Sequence, residues 1–140
     1  MRKWIVTISV IALLLAACAT NNPISPSHVV IAFEKAGLEV SAPRTMTKDD
    51  YGMAPLADEG IRFFIPSLCE KCGGRIMLFK DPDMKKLAIE YYEGLGKRNA
   101  AFFSWVFSRE NIVLQINGDL PEAEALRYEK ALNEAEAVLP

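Results

Sequence analysis

Cys69 and Cys72, spaced as Cys-Glu-Lys-Cys, are the side chains of this 140-residue chain with the most intrinsic chemistry. Two thiols at that spacing can exchange with disulfides, supply half of a zinc site, or close on each other. Redox activation wants the first thiol at a helix N-terminus, where the dipole lowers its pKa. Here Gly73-Gly74 and a strand-like run follow instead. Structural zinc wants four ligands, and the only other cysteine and the only histidine are Cys18 and His28. A zinc site would therefore need two copies of the chain, each giving Cys69 and Cys72. The plainest expectation is a local disulfide or an inert thiol pair at the tip of a hairpin.

Cys18 stands in a different setting. Met1-Arg2-Lys3-Trp4 precedes an apolar run from Ile5 to Ala17, interrupted by Thr7 and Ser9 and followed by Cys18 and the polar Asn21-Asn22-Pro23. A membrane-crossing helix needs about 20 apolar residues, and this run falls short of that. It has the charged start, short apolar middle and small-residue end of an export signal. Leu15-Ala16-Ala17-Cys18 resembles the lipobox of bacterial lipoprotein precursors. That resemblance implies a diacylglyceryl thioether on Cys18 and cleavage before it. It also implies attachment to the membrane at its extracytoplasmic face. Ala19 is not the Asp that retains such proteins at the inner membrane of Gram-negative cells, so an outer-membrane position is open there.

Three segments are expected: a signal peptide over 1–17, a lipidated tether over 18–26 and a single domain over 27–140. Fully extended, Ala19 to Pro26 reaches at most about 28 Å, which keeps the domain close to the bilayer. Taking the 17 residues of the signal from 140 leaves 123, the size of one domain. With Arg2 and Lys3 removed, 14 basic residues face 18 acidic ones, a net charge of −4. A mildly acidic domain without a long basic stretch is a poor partner for nucleic acid. Hydrophobic residues make up 51% of the chain, ample for a core.

The elements that must position these residues follow from periodicity. Val29, Val30, Phe33 and Ala36 recur at helical spacing between Ser25-Pro26 and Gly37. Leu38, Val40 and Ala42 alternate as a short strand ending at Pro43, and 45–60 is a long loop with a one-turn helix start at Thr47. Strands around Ile61–Ile65 and Arg75–Phe79 fold back at the Cys-x-x-Cys-Gly-Gly turn. Asp81-Pro82 opens a helix that Gly94 and Gly96 close. A second hairpin joins Phe102–Phe107 to Ile112–Ile116, where alternation suggests one buried face. Asp119-Leu120-Pro121-Glu122 reads as a capping box for a last helix carrying Ala125, Tyr128, Leu132, Ala135 and Leu139. The order α-β-β-β-α-β-β-α, dominated by hairpins, predicts an α+β fold with an antiparallel sheet of about five strands packed against helices.

Two further groups merit weighing. Phe103, Trp105 and Phe107 fall on one face of their strand, with Phe102 and Val106 on the other. Such a strand is either central and covered on both sides, or offers a face to an apolar ligand, a partner or a membrane surface. Among the carboxylates, Asp81, Asp83, Glu122 and Glu124 sit where helix starts want them, while Asp49 and Asp50 beside Tyr51 lack such an explanation. No nucleophile elbow, phosphate-binding Gly loop or His-rich metal cluster appears. His28 reads as a first-turn helix residue.

Besides the lipobox, the segments IRFFIPSL, GGRIMLFK, SWVFSRENIVLQINGDLPE and YEKAL make most of the mature chain resemble small lipoproteins of unassigned function from Gram-positive, spore-forming bacteria. The resemblance implies cell-surface attachment and brings no catalytic residues. The expectation is thus a non-catalytic binding or accessory module of the cell envelope, with no cofactor beyond the lipid on Cys18. Its partners would be the membrane, through that anchor, and an envelope protein or small ligand. The alternative is an extracytoplasmic thiol/disulfide or zinc protein that uses Cys69 and Cys72.

Overall fold

Ser25 opens the first helix in the computed structural model, which describes residues 23–137. Its hydroxyl accepts from the His28 backbone N–H, and the His28 Nδ1 accepts from the Ser25 backbone N–H. Pro26 sits at the first position, where a missing N–H costs nothing, so α1 runs Pro26–Lys35. Ile24 and Pro26 are buried. The fold therefore reclaims Ile24–Pro26 from the expected tether.

Five strands form one antiparallel sheet, as expected from the hairpin-rich order. They are β1 (Ser41–Thr45), β2 (Glu59–Phe64), β3 (Gly73–Leu78), β4 (Ser104–Arg109) and β5 (Ile112–Asn117), in spatial order β1-β2-β3-β5-β4. Between them lie α2 (Lys48–Tyr51), α3 (Pro82–Arg98) and a 3-10 turn at Ala100–Phe102, and α4 (Glu122–Glu134) follows β5. Both hairpins form, and the link from β3 through α3 carries the chain to the far edge.

Helices cover both faces, which corrects the expectation of one buried face. On one side α1 and α4 pack together over Phe63, Ile65, Ile76, Ile112, Leu114 and Ile116. On the other, α3 and the α2 segment enclose Met77, Phe79 and Val113. The alternation along β5 thus separates two apolar cores, and every residue from Ile112 to Ile116 is buried.

Four local expectations are also revised. β1 is displaced to Ser41–Thr45, with a register shift between Ser41 and Arg44 and a positive φ of 45° at Ala42. Pro43 does not stop it, because an edge strand with a bulge can omit one N–H. α3 runs past Gly94 and Gly96 to Arg98. Gly96 serves a close approach instead: a Cβ there would lie 3.0 Å from the Cα of Phe103. Phe102 and Phe103 precede β4, and the Asn99 side chain caps the 3-10 turn through the Ala101 N–H. The predicted Asp119 capping box does not form. Pro121 is the N-cap of α4, while the Asp119 N–H donates to the Asn117 side chain. Leu139, placed on the last helical stripe by its spacing, lies outside the described residues.

Candidate functional site: an arginine row beside a polar cleft

Sheet register aligns residues that are far apart in sequence. Arg44 stands opposite Arg62, Arg62 opposite Arg75, Arg75 opposite Gln115 and Gln115 opposite Val106, a row crossing all five strands. Directly opposed residues share a face, and Val106 packs in the core beneath α3, so the row lies on the α3 side. Three cations in such a row repel one another unless each is compensated.

Each guanidinium is held differently. Arg44 grips the Asp50 carboxylate with both terminal nitrogens, at 2.7 and 2.9 Å. Arg62 donates to the backbone carbonyls of Phe63, Gly74 and Lys71 and lies 4.8 Å over the Phe64 ring. Burial first, then the neighbouring Arg75, brings its pKa down to about 10, so it stays charged at neutral pH. Arg75 donates from Nε to the Asp50 carbonyl and from Nη1 to the Gln115 side-chain oxygen, each at 2.6 Å. Gln115, only 5% exposed, passes the chain on by donating to Ser104 Oγ at 2.8 Å.

Asp50 owes its position to α2. Its carboxylate also accepts from the Thr47 backbone N–H and hydroxyl, which fixes the start of that short helix. The Arg44 hydrogen bonds hold its carboxyl well below the usual carboxylate range, aided by those from Thr47 and opposed by desolvation. A depressed folded pKa gives stability that is present above the unfolded value of about 4 and is lost as pH falls through the folded value. Acid titration followed by NMR should show Asp50 ionised while ordinary carboxylates protonate. In Asp50→Asn the acid-labile part of stability should be smaller, as read by urea midpoints at neutral and acid pH.

Beside the row opens a cleft of about 310 Å³ between the α2 loop, the sheet, α3 and the 3-10 turn. Arg75, Gln115 and Ser104 line its floor, and Tyr51, Tyr91 and Tyr92 are among its walls. The Tyr91 and Tyr92 rings meet edge to face at 5.2 Å, and burial raises the pKa of Tyr92, so its hydroxyl stays protonated. The arrangement offers fixed donors and aromatic surface.

Of the residues singled out from sequence, Asp49, Asp50, Phe102 and Phe103 meet at this cleft, and the others lie elsewhere. Cys18 falls outside the described residues. Cys69 and Cys72 form a disulfide with their Cα atoms 5.0 Å apart, Cys72 buried and Cys69 exposed. Both sulfurs are committed, and zinc would require the bond to be reduced. Closing so short a loop limits the denatured chain by about 2 kcal/mol. Replacing both cysteines with alanine should therefore lower the urea-unfolding free energy by about that much, with an unchanged far-UV spectrum.

Phe103, Trp105 and Phe107 do not make an open strand face. β4 is an edge strand rather than the covered central strand its pattern suggested. Trp105 and Phe107 pack on the core under α1 and α4 as partly buried rings, and the Trp105 indole N–H donates to the Leu120 carbonyl at 2.8 Å. Phe103 lies outside the strand, edge to face with Trp105. Phe102 and Phe103 instead border the polar cleft. Asp81 caps α3 through the Asp83 N–H, and Asp49 is exposed at the cleft.

The arginine row was absent from the sequence-based set. Arg62 and Arg75 occupy the alternate positions of two apolar strands, the only signal available without the pairing. Among the described residues no group of three or more His, Cys, Asp or Glu could hold a metal ion, and no helix is long and apolar enough to cross a membrane. Comparison with protein-family models, with curated proteins and with solved structures finds no match.

Proposed function

We propose that the chain is an extracytoplasmic lipoprotein, anchored through Cys18, whose α+β domain is a non-catalytic binding or accessory module of the cell envelope. The observation that carries this is Leu15-Ala16-Ala17-Cys18 at the end of a short apolar run that follows Arg2-Lys3. The Cys69–Cys72 disulfide supports it, since such bonds persist in oxidising compartments. The start of the fold supports it as well. With Ile24 buried and Ser25 capping α1, Ala19 to Pro23 is the whole of the tether, reaching at most about 18 Å. A domain so close to a bilayer works on what diffuses past it or on a neighbouring envelope protein.

Protease treatment of intact spheroplasts tests the compartment. The domain should be degraded while a cytoplasmic marker survives. Protection that persists until the cells are lysed would refute the assignment.

A further inference from the structure

We infer that the cleft between α2, α3 and the sheet binds a small monocarboxylate with one apolar edge, held by the guanidinium of Arg75. This rests on the domain being a binding module, and is independent of the lipid on Cys18.

The inference starts from charge. Arg44 has a carboxylate partner, whereas Arg75 has none among the described residues: its acceptors are a backbone carbonyl and the neutral amide of Gln115. Arg75 is partly buried without an ion-pair partner among the described residues, and the cleft leaves room for an anion beside it. Nε and Nη1 are both engaged at 2.6 Å, so the guanidinium is fixed in orientation while Nη2 stays uncommitted among the described residues. Held this way, the guanidinium presents Nη2 in a fixed direction and can donate to a carboxylate oxygen without losing further side-chain freedom.

The rest of the lining sets the class of ligand. Asp49 is exposed at the same cleft, and the Asp50 carboxylate is close by, already paired with Arg44. That acidic edge opposes a doubly charged phosphate more strongly than a singly charged carboxylate. Most of the lining is polar, and Tyr91, Leu95 and Phe102 supply one apolar edge, with Phe102 60% exposed at the rim. A cleft of about 310 Å³ is at the small end of ligand sites.

The test is an NMR titration of the full chain, in neutral detergent, with sodium benzoate; benzamide and inorganic phosphate serve as controls. Benzoate should give saturable shifts of the Arg75 Nε–H, the Gln115 side-chain amide and the Ser104 backbone amide, with benzamide silent. Gln115→Glu places a carboxylate against Arg75, and Ser104 can then donate to it, so the fold is kept and benzoate should bind at least tenfold more weakly. Asp49→Asn, at an exposed position, should tighten binding. The proposal is overturned if benzoate gives no saturable shift, if benzamide binds equally well, if phosphate alone shifts these signals, or if a folded Gln115→Glu variant or Asp49→Asn leaves benzoate affinity unchanged. A negative result here with Cys18 still acylated removes the ligand class and leaves the anchored module standing.

Discussion

Cys18→Ser is expected to remove the lipid and leave Met1–Ala17 uncleaved, so that the protein loses the mass of the acyl chains, keeps that of the signal and is held at the membrane far less firmly. Serine has no thiol on which to form the thioether, and in lipoprotein precursors that modification comes before cleavage. The effect is large because the anchor is large: each buried methylene contributes about 0.8 kcal/mol, and one chain alone holds a protein only marginally. Two chains carry binding beyond reversible exchange. The uncleaved apolar run from Ile5 to Ala17 falls short of a full span, so alkaline extraction should release the variant while the lipidated protein stays with the membranes, with partitioning and apparent mass read alongside. Unchanged partitioning at unchanged mass would show that Cys18 is not the anchor.

Phe63→Ala is expected to lower the unfolding free energy by about 3–5 kcal/mol, enough to leave a domain of ordinary stability marginal. Phe63 is fully buried on the interior strand β2, its ring 5.8 Å from that of Phe33 and 6.1 Å from that of Tyr128. The Tyr128 hydroxyl reaches the Glu39 carbonyl at 2.8 Å, so this cluster ties α1 and α4 to the sheet and to the chain leading into β1. Strand β3 has no side chain to spare at the same spot: a Cβ on Gly74 would lie 2.6 Å from the Phe63 ring. Removing the ring leaves a cavity with rigid walls, and little can move to fill it. Phe64→Ala, half-buried on the opposite face under Arg62, should cost clearly less. Equal urea midpoints for the two variants would contradict the placement of the core.

What was legible in the sequence is what local chemistry decides. Ser25-Pro26 and Asp81-Pro82 announced helix starts that the structure keeps, and the Cys69–Gly74 stretch marked the turn joining β2 to β3. The antiparallel sheet of five strands followed from hairpins alone. The misplaced features are ones where a distant residue decides. Gly96 reads as a helix stop until Phe103 is seen lying against it. Pro43 reads as a strand end until β1 is known to be an edge. Asp50 lacked an explanation until Arg44 and Thr47 closed on it, and the arginine row exists only once β1, β2 and β3 are in register. The aromatic run misled in another way, since its composition suits a central strand and says nothing about strand order.

The amino-terminal peptide of the native protein, isolated from membranes and weighed by mass spectrometry, tests the assignment most directly. The expected peptide begins at residue 18, lacks Met1–Ala17 and carries the mass of a diacylglyceryl group on sulfur. A peptide that begins at Met1 with a free thiol at Cys18 would contradict it.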